Sequence, residues 1–298
     1  MLAILFWVLI LSLSTVAVVP VWQRMLEDSR YQFLPLLVIL LVVLLLIRWN
    51  RRFAWPSAIA WLLILAGIGA IAASYRELSP WLGGLGWCLV TLSFLSSCTQ
   101  VADDKQFPWL KRFSGSPFGL APLVLLCLPL PRNLDTLTIG QVYEFTANLS
   151  SMTLDALSIP HHWQEGILKF QSFEYSVKDL FPAWLSPLNC CFAVVVIQVL
   201  RNRPVWITPF YFAGGLATSF LANYLFTLAV IIAKVNFNYD LFQLWPYTGT
   251  IAVVILMAVL FALSLDRFWL VTFSPTRPDE ISGWNNPLIR GWNFLSGI

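Results

Sequence analysis

Apolar residues in this chain form long continuous stretches that are separated by polar segments. A bilayer hydrocarbon core about 30 Å thick requires about 20 apolar residues in an α-helix. Eight stretches approach that length: Leu2–Val21, Phe33–Ile47, Phe53–Ser74, Trp81–Cys98, Phe118–Leu130, Ala183–Leu200, Val205–Ile232 and Trp245–Leu265. The pattern predicts an all-α fold, a polytopic transmembrane helix bundle of about eight spans. The second and fifth stretches are short for a full span. Either could cross the bilayer where it is locally thinner or follow a tilted path, and the fifth could instead be re-entrant.

The longest polar interruption is the segment 131–182. Five of its apolar residues recur at helical spacing: Ile139, Val142, Leu149, Met152 and Leu157. This spacing predicts an amphipathic helix that lies along or over the bilayer surface. The imperfect alternation of Ile167–Tyr175 predicts one or two short strands. The chain therefore divides into an N-terminal transmembrane half (1–130), this loop (131–182), a C-terminal transmembrane half (183–273) and a tail (274–298).

The composition supports a membrane protein, because 58% of the residues are hydrophobic and only 11% are charged. Eleven of the 18 Lys and Arg residues fall on the side that contains both termini, and seven fall on the other side. Cytoplasmic loops carry an excess of basic residues, so both termini and the tail are expected in the cytoplasm and the long loop outside it. The net charge of +3 reflects this topology and does not indicate a nucleic-acid partner. The first stretch lacks a basic start, which favours an uncleaved helix over a signal peptide.

Two cysteines and two histidines are the first candidates for chemistry. Cys190 and Cys191 lie in the first half of the sixth apolar stretch, and His161 and His162 lie in the preceding loop. One interpretation makes either cysteine a nucleophile with either histidine as its general base. The alternative makes the cysteines small packing residues and places the histidines in a solvated turn after Pro160. A thiol inside an apolar span with no cation nearby stays protonated and inert, which favours the alternative.

Asn223 is a third candidate, because an amide inside an apolar span must hydrogen-bond to another helix or line a cavity. A single interhelical hydrogen bond would explain it equally well. The histidines have no third ligand at a familiar metal spacing, and there is no glycine-rich phosphate loop. We therefore expect neither a metal nor a cofactor.

Several segments in the second half of the chain occur in a recognisable order: Leu157–His161 with Glu165–Leu168, then Leu185–Phe192, Leu221–Asn223 and Ser264–Phe268. In that order they resemble the exosortase/archaeosortase family of membrane cysteine transpeptidases, and are closest to the type called exosortase U. The resemblance covers roughly Leu128 to Pro275, so the C-terminal transmembrane half is similar to the exosortase core. It implies a catalytic Cys, Arg and His on the outer face of the membrane.

The residues at those three positions differ from the family pattern. In the register that keeps Ser186, the nucleophile position holds Leu185, the arginine position Phe226 and the histidine position Trp245. A leucine cannot attack a carbonyl, and no cation is left to stabilise a thiolate or an oxyanion. The resemblance therefore implies an exosortase-like pseudoenzyme of the bacterial cytoplasmic (inner) membrane, acting in protein sorting or envelope polymer export. Its partners would be the lipid bilayer and either the C-terminal sorting-signal helix of exported proteins or a catalytic paralogue.

Two other functions remain open at the level of sequence. The first is an active cysteine peptidase or transpeptidase, in which Cys190 or Cys191 is the nucleophile, Asn223 orients the substrate and a loop histidine is the base. The second is a transporter or envelope-polymer assembly subunit. Transporters usually show paired intramembrane charges or inverted repeats of broken helices, and neither is evident here.

Overall fold

The computed structural model describes residues 2–28, 31, 33–48, 55–77, 79–98, 116–129, 132–164, 167–171, 173–176, 180, 182, 185–239, 241 and 244–273. Helices dominate this part of the chain: α1 Leu2–Glu27, α2 Leu34–Arg48, α3 Ala58–Arg76, α4 Pro80–Ser97, α5 Ala121–Leu126, α6 Arg132–Ala156, α7 Pro187–Leu200, α8 Thr208–Phe237 and α9 Leu244–Phe273. Each of the eight predicted apolar stretches overlaps one of these helices, and α6 is the predicted loop helix. The predicted tail lies outside the described residues.

Three helical segments among the described residues are long and apolar enough to cross a membrane: Ala3–Glu27, Ala58–Arg76 and Val205–Phe237. Helices α2 and α7 are apolar but contain only 15 and 14 residues. These helices agree with the predicted all-α fold and with the predicted association with a membrane. The count of eight spans and the orientation stay predictions.

The long helices carry large apolar side chains that the chain itself leaves uncovered. They include Leu9 and Leu13 on α1, Ile39 on α2, Leu62 on α3 and Leu256 on α9, each more than half exposed. A soluble protein rarely exposes contiguous apolar surface on this scale, whereas acyl chains cover such a surface in a bilayer. These helix faces are therefore suited to contact with lipid.

The structure divides into two compact units, of which the first contains residues 1–135 and 195–209. Small residues set the packing of α4 on α3 and on α1 in this unit. A Cβ added to Gly86 would lie 2.6 Å from the carbonyl oxygen of Gly67, and one added to Gly83 would lie 2.7 Å from that of Ala17. Glycines at these positions let the helix backbones approach closely, which is the usual means of helix association in membranes.

A buried arginine in the first unit caps the end of α7. Asn202 has a positive φ of 52°, and the amide of Arg203 bonds to the carbonyl of Gln198, so α7 closes with a Schellman turn. Arg48 donates from Nη2 to the Val199 carbonyl at 2.7 Å and to Oδ1 of Asn202 at 2.8 Å. The cation therefore lies at the negative end of the helix dipole.

The second unit contains residues 136–194 and 210–298. Its helix α6 also ends in a Schellman turn, with Ser158 at a φ of 57° and the Ile159 amide bonded to the Leu154 carbonyl. Three short antiparallel strands follow in the order β1 His162–Gln164, β2 Ile167–Lys169 and β3 Glu174–Ser176. Strands β2 and β3 correspond to the strands predicted within Ile167–Tyr175, and β1, which precedes that segment, was not predicted.

Helix α6 buries a different set of residues from the predicted apolar stripe. Within that stripe Ile139 is buried, but Met152 is 67% and Leu157 52% exposed. The buried face instead includes small and polar side chains, among them Ala147 and Ser150. The face of α6 that packs inside the protein is therefore distinct from most of the predicted apolar stripe, and its small residues allow close helix packing.

Candidate functional site

The start of α7 leaves the carbonyl of Leu185 outside the hydrogen-bond ladder of that helix. The Asn189 amide bonds to the hydroxyl of Ser186 at 3.3 Å, so Ser186 is the N-cap, and Pro187 occupies the first helical position. The Cys190 amide then bonds to the carbonyl of Ser186. The carbonyl oxygen of Leu185 therefore needs a donor from another element.

Helix α8 supplies that donor. The hydroxyl of Ser219 donates to the Leu185 oxygen at 2.6 Å, and Nδ2 of Asn223 donates to the same oxygen at 2.9 Å. Asn223 Nδ2 is also 2.9 Å from the Ser219 carbonyl. This interhelical bond is the simpler of the two roles that the sequence allowed for Asn223. Its Oδ1 atom is buried and has no hydrogen-bond partner among the described residues.

The substituted positions Leu185 and Phe226 lie together in a buried apolar cluster beside this bond. Both side chains are buried, at 2% and 0% exposure. The other buried members come from α6, the strand region and α8: Ala147, Leu154, Ile159, Leu168, Leu180, Ala222, Val230 and Ile231. None of these side chains can act as a nucleophile, a base or a cation, so the cluster has no chemistry of its own.

Trp245, the third substituted position, lies in the first turn of α9. Its side chain is outside the described part of the structure. Whether it joins the cluster therefore stays a prediction.

Both candidate cysteines are buried inside the helix pair. Cys190 is 6% exposed, its sulfur is 3.8 Å from the Leu185 carbonyl oxygen, and it also lies within hydrogen-bond reach of Ser219. The sulfur of Cys191 is 3.5 Å from the carbonyl oxygen of Phe212. Among the described residues, neither sulfur bonds to a histidine or an arginine. The two thiols therefore have the surroundings of packing residues.

The two loop histidines are held differently from each other. The His161 side chain is only 2% exposed, with Nδ1 3.0 Å from the Ile159 carbonyl oxygen and Nε2 2.7 Å from the Ser151 hydroxyl. The carbonyl only accepts, so Nδ1 carries a proton, and the second hydrogen bond joins Nε2 to the Ser151 hydroxyl. His162 lies in β1 and is exposed. The prediction of a solvated turn is thus wrong for His161, because both of its ring nitrogens are hydrogen-bonded, one to Ile159 and one to Ser151.

Asp266 and Arg48 are two buried residues with ionisable side chains, and the sequence patterns did not indicate the contacts that they make. The hydroxyl of Tyr211 on α8 donates to the carboxylate of Asp266 on α9, and both residues are fully buried. Arg48, at the end of α2, is the other. A charged residue at the edge of an apolar stretch is the signal that could have found both. No group of three metal-binding side chains occurs in the described ranges.

Comparison with known proteins gives no family for this chain. No protein-family model matches it, and neither does any curated protein or solved structure. The resemblance described above therefore depends on the residues of this chain alone.

Proposed function

We propose that this chain is a non-catalytic, exosortase-like membrane protein in which an apolar cluster occupies the place of the transpeptidase active site. One observation carries the proposal. The positions that the resemblance assigns to the nucleophile and the arginine, Leu185 and Phe226, are 41 residues apart in the chain and yet belong to one buried cluster. A register chosen without regard to structure has no reason to bring these two positions together.

The surroundings of that cluster support a role without bond-breaking chemistry. The donors of Ser219 and Asn223, which could have stabilised an oxyanion, bond to the carbonyl of Leu185. The thiol of Cys191 lies against the backbone of α8, where an incoming carbonyl carbon has no path to it. Binding is the activity that such a site retains.

The ligand in this proposal is the C-terminal sorting-signal helix of exported proteins or, alternatively, a catalytic paralogue. The protein would work in the bacterial cytoplasmic membrane, in protein sorting or envelope polymer export. It would bind an exported protein or a partner enzyme on the extracytoplasmic side without cleaving the bound polypeptide.

Two measurements on the purified protein in nanodiscs test the proposal. A sorting-signal peptide should yield no cleaved or transferred product by mass spectrometry, with the parent chain and with Cys190→Ala or Cys191→Ala alike. A product that disappears in either variant would establish the active cysteine enzyme instead. The same peptide with a photo-cross-linker should label the chain more strongly than a scrambled peptide, and equal labelling would exclude the binding role.

A further inference from the structure

The length of α8 limits where the bilayer can lie along it. Helix α8 and the three residues before it form the candidate span Val205–Phe237. This span has 33 residues, whereas a hydrocarbon core needs about 20. Every window of about 20 residues within that span contains both Phe220 and Tyr224. These two residues are therefore at the depth of the acyl chains wherever α8 crosses the membrane.

Helix α6 packs against α8 at this same depth. The ring of Phe145 lies 4.9 Å from that of Phe220, measured between centroids. The hydroxyls of Thr153 and Tyr224 are 2.8 Å apart. The segment 145–153 of α6 is thus fixed to α8 at both ends, and it must share the depth of the residues that it contacts.

The outward surface of this segment has an apolar edge and a polar edge. Phe145 and Met152 are 61% and 67% exposed, and they lie two helical turns apart on the same edge. Glu144 and Asn148, also exposed, lie four residues apart on the adjacent edge. An interfacial helix has this division, with its apolar edge in the acyl chains and its polar edge at the headgroups.

We propose that α6 is embedded in the extracytoplasmic leaflet, with the edge formed by Phe145 and Met152 in contact with lipid acyl chains. The occupant of this edge is lipid, because the edge continues the apolar surface of a helix that itself spans the bilayer. The inference rests on the membrane placement in the proposed function. It adds that the loop helix is part of the membrane-embedded body, so that a substrate helix would reach the cluster from within the bilayer.

Spin labels at single introduced cysteines test this arrangement in proteoliposomes. The five native cysteines are all buried, so the parent chain serves as the blank for labelling. Phe145→Cys and Met152→Cys report on the apolar edge, and Asn148→Cys reports on the polar edge. Leu65→Cys, on the exposed face of α3, reports whether the protein is in the membrane at all. The readout is the ratio of collision with oxygen, which dissolves in lipid, to collision with a water-soluble nickel complex.

We expect this ratio at positions 145 and 152 to be severalfold higher than at position 148 and close to that at position 65. A low ratio at 145 and 152 with a high ratio at 65 would overturn the inference and leave the membrane placement intact. Low collision with both reagents at 145 and 152 would also overturn it, because a protein partner would then cover the edge. A low ratio at all four positions would reject the membrane placement itself.

Discussion

Replacing Gly215 by alanine tests the close approach of α7 and α8 on which the candidate site depends. A Cβ at this position would lie 2.5 Å from Cα, 2.8 Å from Sγ and 2.9 Å from N of Cys191. Two of these atoms belong to the backbone of a helix and cannot rotate away. The helices must therefore move apart by about 1 Å to restore ordinary van der Waals distances.

Two destabilising effects and one stabilising effect set the change in the free energy of unfolding. Inserting a methyl group into a close-packed seam costs about 1–3 kcal/mol. The same separation would lengthen the bond from Ser219 to the Leu185 carbonyl, now 2.6 Å, beyond hydrogen-bond range, at a cost of about 1 kcal/mol. Alanine stabilises a helix by about 1 kcal/mol relative to glycine. The net expectation for Gly215→Ala is a loss of about 2 kcal/mol in the free energy of unfolding.

Reversible unfolding in mixed micelles, followed by helical circular dichroism, measures this difference. Gly69→Ala is the matched control, because Gly69 also lies in an apolar helix and an added Cβ there meets nothing within 4 Å. The control should be as stable as the parent, or more stable by up to about 1 kcal/mol. A Gly215→Ala protein as stable as this control would refute the close helix contact.

Three further substitutions have expected outcomes in the same unfolding assay. Ser158→Gly should stabilise the chain by about 0.5–1 kcal/mol, since Ser158 has a left-handed backbone that glycine adopts freely, and Ser158→Val should destabilise it. Asn223→Ala and Ser219→Ala should each lower the free energy of unfolding by about 1 kcal/mol. The double variant should lose more than the sum of the two, because only the double variant removes both of these donors from the Leu185 carbonyl. Strict additivity would count against the shared acceptor. Arg48→Ala should cost about 2 kcal/mol through loss of the charged cap on α7, and an unchanged midpoint would dismiss that role.

The features that could be predicted from the sequence are those that depend on local chemistry. A continuous apolar run must become a helix in a bilayer, because no water is present to satisfy the backbone, so the eight stretches and their helices agree. The start of α7 at Pro187, inside the predicted stretch Ala183–Leu200, also has a local cause, since Ser186 and Pro187 are residues that an N-cap and a first helical position favour.

The features that could not be predicted are contacts between distant parts of the chain. Arg48 and Val199 are separated by 151 residues, and nothing local to either indicates that they bond. The burial of His161 arises from the turn after α6, which brings its ring back to Ser151. Hydropathy identified Met152 as part of an apolar stripe, but it registers only the spacing of apolar residues and cannot tell a protein neighbour from lipid.

If an apolar cluster stands in place of a transpeptidase site, as we propose, the cysteines beside it only pack and no electrophile can reach them. The most direct measurement is intact-protein mass spectrometry after incubation in nanodiscs with a sorting-signal peptide that carries a thiol-directed electrophile. We expect the mass of the parent chain to stay unchanged, and the masses of Cys190→Ala and Cys191→Ala to stay unchanged as well. A covalent adduct on the parent chain that is absent from one of these variants would contradict it, because that cysteine would then be a reachable nucleophile.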